Sequence, residues 1–139
     1  MIAYGAGMSD TRSPTPAEAV VARLSDEYEA ALVRNDLAAM NDVFWQSADV
    51  LRFGIADMQS GYDEVVAWRA VAVPVPASRT IIERTVLEVA PAVVAVDLTF
   101  RNGDEPFIGR QSQTWVEHES GWRIVRAHVS VIATPVGAE

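Results

Sequence analysis

Between Gly109 and Ile132 the sequence runs GRQSQTWVEHESGWRIVRAHVSVI, two strand-length segments either side of a turn at Glu119-Ser120-Gly121. The stretch reads as one long β-hairpin. A strand with one solvated face alternates apolar with polar side chains. Here the polar set is Arg110, Gln111, Ser112, Gln113 and Thr114 on the first strand, with His128 and Ser130 inside an apolar run on the second. Amides, hydroxyls, one guanidinium and one imidazole differ from the Glu/Lys mixture of a wetted face. Two readings follow: the wall of a polar pocket, or a sheet face half in water.

The chain has 139 residues, enough for one domain with one sizeable core. Half of them (50%) are hydrophobic, which indicates a globular chain. There is no cysteine, which removes disulfides, thiol nucleophiles and Cys–metal sites and fits a cytoplasmic protein. The longest apolar runs are strand-sized, so no membrane span is expected. A net charge of −8 argues against a nucleic-acid partner, because phosphate binding needs a basic face. All 11 basic residues are arginine. No lysine is present for a Schiff base, while each guanidinium can hold a carboxylate with two parallel N–H donors.

Residues 1–13 and 135–139 read as tails around a single domain, 14–134. Thr15-Pro16-Ala17-Glu18 is a helix start, with Thr as N-cap, Pro in the first turn and Glu three residues after the cap. Val20, Leu24, Tyr28, Ala31 and Leu32 form its apolar stripe, so Tyr28 belongs on the buried face. Asn35-Asp36 ends this helix and caps a second, Leu37 to Trp45. Asp49 to Phe53 is a short strand carrying Arg52, and a third helix runs from Gly61 to about Ala72. Four strands follow, 79–89, 92–101, 106–117 and 122–133, joined by short turns into an antiparallel meander. Three helices cannot cover both faces of such a sheet. One face is expected to enclose a cavity and the other to meet a partner. For Val94, Val96, Leu98 and Phe100, parity alone leaves both faces open, as it does for Arg110 and Ser112 against Gln111 and Gln113.

Two histidines, with no HExxH or paired HxH, make a metal site improbable, and His118 beside the turn is expected in water. No GxGxxG, P-loop or GxSxG is present in a usable context. No cofactor is expected. What remains is arginine in apolar settings: Arg52, Arg69 and Arg110. A buried guanidinium must be paired. Asp57, Asp63 or Asp97 could close an internal pair, or a ligand carboxylate could complete an anion site. His128 is read either as a hydrogen-bonded core residue or as a pocket group.

The element order, with YEAALVRND (28–36), FW (44–45), LRFG (51–54), GYDEV (61–65), WR (68–69), GRQSQTWV (109–116) and GWRIVRAHVS (121–130), resembles the AtzH-like family of the nuclear-transport-factor-2-like superfamily. The resemblance spans about residues 15–132 and implies an α+β fold. In it, three N-terminal helices pack on a strongly curved antiparallel sheet, a cone-shaped barrel with an internal pocket. Family members occur alone or joined to amidases, and the named member converts 1,3-dicarboxyurea to allophanate. Ketosteroid isomerases share the fold. Their oxyanion-hole tyrosine falls at Tyr28, their general-base aspartate at Arg52, their protonated aspartate at Gln113 and a further pocket tyrosine at Arg69. Pocket-lining positions fall near His128 and Ser130, and the comparison favours Gln111 and Gln113 as the inward pair. A cation in place of the base excludes carbon-acid isomerisation. The chain departs from the family pattern at Phe53, Met58, Ala70 to Val73 and Arg126, which points to a different substrate.

The resemblance thus implies a receptor for a small mono- or dianionic carboxylate, with Tyr28, Arg52 and His128 as catalytic residues and Arg69, Gln111, Gln113 and Ser130 as substrate-binding residues. The expected activity is cofactor-independent decarboxylation or hydrolysis of a carboxylated urea. The alternative is a non-catalytic binding or dimerisation module attached to an amidase. Homodimerisation through the open sheet face is expected in either case.

Overall fold

The computed structural model describes residues 12–134. The expected tails fall almost wholly outside that range. Helix α1 spans Pro16–Arg34, and its start follows the capping logic: Thr15 Oγ1 accepts from the Glu18 N–H, and Glu18 reaches back to the Thr15 N–H. Asn35 closes it in the left-handed region at φ 56°, a conformation Asn tolerates. Asp36 then caps α2 (Leu37–Asp42). This helix stops short of Trp45 because the chain turns to join the sheet. Phe44 forms a parallel bridge with Ile124, and the Ile124 N–H donates to Val43 O at 2.7 Å. Phe44 is fully buried there.

Two short strands, β1 (Leu51–Phe53) and β2 (Met58–Ser60), precede α3 (Tyr62–Val71). The meander is β3 (Arg79–Ala90), β4 (Val93–Asn102), β5 (Phe107–His118) and β6 (Gly121–Ala133). The six strands form one sheet in the order β2-β1-β6-β5-β4-β3. β1 is parallel to β6, and the other neighbours are antiparallel. With β2 and β3 as free edges the sheet is curved but open, so the barrel expected from the sequence is not closed.

Four polar contacts from α1 stitch it to the edge strand β3. Glu18 accepts the Glu88 N–H at 2.8 Å, Ser25 Oγ accepts from Arg84, Asp26 pairs with Arg84, and Glu29 pairs with Arg79. Val21, Tyr28, Phe44, Val65, Val94, Val96, Trp115 and Ile124 fill the space between helices and sheet. Val94, Val96, Leu98 and Phe100 all face inward on β4, which resolves the parity left open by the sequence.

Gly109 is required by close packing. A Cβ there would enter the Phe100 ring, which is buried and lies under the Arg79 guanidinium at 3.7 Å. Gly109→Ala is expected to destabilise the fold by about 1–3 kcal/mol through overpacking. Urea denaturation of the variant against the parent checks this, and an unchanged midpoint would contradict it.

Candidate functional site

Cross-strand register decides which side chains meet. Arg52 on β1 lies beside Ala127 on β6, which lies beside Gln113 on β5, which lies beside Val96 on β4. The next inward row is Val129, Gln111 and Leu98. These rows floor a cavity of about 200 Å³, roofed by Tyr28 and Leu32 from α1 and by Trp68 and Arg69 from α3. Ile55, Val73, Val75, Arg79, Phe100 and Asn102 complete its lining.

Arg52 is held by two acceptors and one ring. Nη1 donates to Asp57 Oδ1 at 2.7 Å and to Gln59 Oε1 at 2.8 Å, and the guanidinium lies 3.7 Å over Trp68. Gln59 Nε2 also donates to Asp57 Oδ1, closing a triangle. The tight β1–β2 turn makes this possible: a Cβ on Gly54 would stand 2.7 Å from Arg52 Nη1 and collide with Asp57. Burial pushes the Arg52 guanidinium below its usual range, while Tyr28 and Asp57 oppose that and Arg69 adds to it.

Arg79 is also satisfied internally. Its Nε donates to Glu29 at 2.9 Å, and Gln111 Nε2 donates to the same carboxylate at 2.9 Å. Arg69 differs from both. It is only 5% exposed, and its Nε donates to Asn41 Oδ1 at 2.9 Å, Nη1 to Met40 Sδ at 3.3 Å and Nη2 to the Tyr28 hydroxyl at 3.3 Å. No carboxylate among the described residues pairs with it. Tyr28 accepts through oxygen and keeps its own proton for a further acceptor. Gln113 Oε1 accepts from Trp115 Nε1 at 3.1 Å, so its amide N–H₂ remains a donor toward the cavity.

The structure brings Tyr28, Arg52, Arg69, Gln111 and Gln113 to one cavity. His128 and Ser130 are not among them, which corrects the placement drawn from the isomerase comparison. Trp122 and Ile124 face the core, and strict alternation would carry Arg126, His128 and Ser130 to the same side. An extra residue in β6 breaks that alternation. Thr114 pairs with Arg126 and Trp115 with Ile124, leaving Val125 unmatched. Beyond this bulge Ala127 and Val129 point inward. His128 packs edge-on against Phe53 on the outer face, and Ser130 accepts from Arg110 Nε there. Asp97 and Ser112 share that outer face, bonded at 2.6 Å. His118, expected in water, stacks on Trp45 with ring centroids 5.0 Å apart and encloses an unpartnered Nε2.

Sequence reasoning missed Arg79, Trp68 and Asn102 as cavity groups and Glu29 as the partner of Arg79. For Glu29 a signal existed, since it lies four residues after buried Ser25 and three before Leu32 on α1. For Arg79 none did, because it stands at a strand start after a proline loop. Among the described residues no three His, Asp or Glu side chains converge as a metal site, and no helix is long and apolar enough to cross a membrane.

Three helices on a curled sheet, with a cavity of mixed apolar and charged lining between them, define a nuclear-transport-factor-2-like, cystatin-like protein. More narrowly, the chain belongs to the AtzH-like family, whose model matches residues 14–135. Two solved structures are similar at both sequence and fold level. One is a cystatin-like fold protein from Burkholderia xenovorans LB400, 41% identical, with TM-score 0.83, covering 87% of this chain and 96% of that one. The other is a protein of unknown function from Pectobacterium atrosepticum SCRI1043, 30% identical, with TM-score 0.80, covering 86% and 94%. An NTF2-like protein from Pseudomonas putida KT2440, 15% identical with TM-score 0.71 over 86% and 89%, shares the fold alone. No curated protein matches the chain.

Proposed function

We propose that the cavity binds a small organic carboxylate, and that its turnover substrate is a carboxylated urea. The observation that carries this is Arg69, a buried cation on the cavity wall with no carboxylate partner among the described residues. A buried guanidinium with hydrogen-bond acceptors and aromatic rings around it but no counter-charge still carries a desolvation cost, which an incoming carboxylate would offset. Tyr28 and Gln113 supply two neutral donors beside it. In a carboxylated urea, the bond between nitrogen and the carboxylate carbon breaks as that nitrogen gains a proton. The electron pair stays on nitrogen and CO₂ leaves. Arg69 would hold the substrate, and the Tyr28 hydroxyl, re-protonated from solvent, would deliver the proton. No nucleophile or metal is required.

Binding without turnover is the second reading. It is favoured by a cavity lining that holds no Ser, His or Lys, with His128 on the other side of the sheet. The same proposal keeps the outer face for a second copy of the chain, where Phe53, Leu87 and Ile132 expose apolar side chains. It makes an amidase the partner that would consume the product.

A thermal-shift screen of small carboxylates, followed by a CO₂-release assay on a carboxylated urea, tests both readings. Stabilisation by carboxylates with CO₂ release is expected. Stabilisation without release would leave the binding reading, and no stabilisation by any carboxylate would overturn both.

A further inference from the structure

We infer that the ligand is a monoanion, one carboxylate joined to an uncharged body that carries an N–H or O–H donor, and not a dicarboxylate. This rests on the proposal that Arg69 seats a carboxylate. It adds a charge count and an unfilled acceptor.

Arg52, Arg69, Arg79 and Asp57 line the cavity, and Glu29 lies outside the lining as the partner of Arg79. Two of the guanidiniums are already neutralised, Arg52 by Asp57 at 2.7 Å and Arg79 by Glu29 at 2.9 Å. One positive charge, on Arg69, is left over. A first carboxylate completes that balance. A second would enter beside Asp57 with no free cation among the described residues to receive it, and like charges at a partly enclosed site repel.

The unfilled acceptor points the same way. Asp57 takes both of its hydrogen bonds, from Arg52 and Gln59, on Oδ1. Among the described residues no donor is bonded to its Oδ2, and the residue lines the cavity. A ligand group that donates would satisfy this oxygen, whereas a carboxylate would meet a lone pair. Leu32, Phe100, Val129 and Val73 supply apolar wall between these groups, suited to a body with no further charge.

Three ligands with the same number of non-hydrogen atoms separate the terms in calorimetric titrations of the full chain. N-carbamoylglycine is a monoanion with urea donors, levulinate is a monoanion without donors, and succinate is a dianion. The expected order is N-carbamoylglycine tightest, levulinate weaker and succinate weakest, with about tenfold or more between first and last. Asp57→Asn, which raises the cavity charge by one, is expected to narrow or reverse the gap between succinate and levulinate. Succinate binding as tightly as N-carbamoylglycine to the parent protein would overturn the inference while leaving the Arg69 seat intact. Equal affinities for N-carbamoylglycine and levulinate would remove the donor requirement. Failure of all three to bind would overturn the carboxylate seat itself.

Discussion

Arg69→Met is expected to weaken carboxylate binding at least about tenfold while leaving the fold intact or slightly more stable. The two effects have one cause. The guanidinium is buried against Met40, Asn41 and Tyr28 with no carboxylate partner among the described residues, so the empty protein carries an uncompensated desolvation cost. Methionine fills much of the same volume without charge. The ligand then loses a charge-assisted contact, on the order of 1.5–3 kcal/mol, or at least about tenfold in affinity. A parallel gain in the melting temperature of the empty protein is the signature of a group kept for function rather than for stability. Thermal melts of parent and variant, each with and without levulinate, check this. If the variant melts well below the parent and the parent shows no ligand shift, Arg69 is a structural residue.

Glu18→Ala is expected to cost about 3 kcal/mol at neutral pH. Glu18 lies only 4% exposed and accepts from Arg12, from the Thr15 N–H and from the Glu88 N–H. Its removal breaks the capping box of α1 and leaves a β3 amide without its partner. The effect is pH-dependent in a defined direction. The Arg12 hydrogen bond, backed by the two backbone N–H groups, lowers the carboxyl from 4.5 to about 2 in the folded state. A depressed folded pKa means the stabilisation is fully present above 4.5 and is lost as pH falls from there toward about 2. Chemical denaturation of parent and variant should therefore show a stability gap that closes over that interval. A gap that stays constant into acid would show that Glu18 acts by packing rather than by charge.

The parts of this fold that were legible in the sequence are those fixed by local chemistry. Thr15, Pro16 and Glu18 mark the start of α1 because capping is a short-range hydrogen-bond pattern, and the turns of the meander follow from Gly, Asn and Pro. Tyr28 and Arg69 fall on inward faces because helical spacing fixes them relative to neighbouring apolar residues. The side of β6 that carries His128 was not legible, because one unmatched residue at Val125 reverses every side chain after it and no residue type there announces a bulge. Partnering was only half legible. Asp57 was one of three acids that could have neutralised Arg52, and the choice was made by the Gly54 turn. Glu29 and Arg79 lie far apart in sequence and meet only because α1 crosses the edge strand.

The most direct measurement is a crystal structure of the protein with levulinate. The carboxylate is expected within hydrogen-bond reach of Arg69 and the Tyr28 hydroxyl, with the Arg52–Asp57 and Arg79–Glu29 pairs unbroken. A carboxylate bound instead on the outer face, near Arg126 and His128, or one that displaces Asp57 from Arg52, would contradict the account.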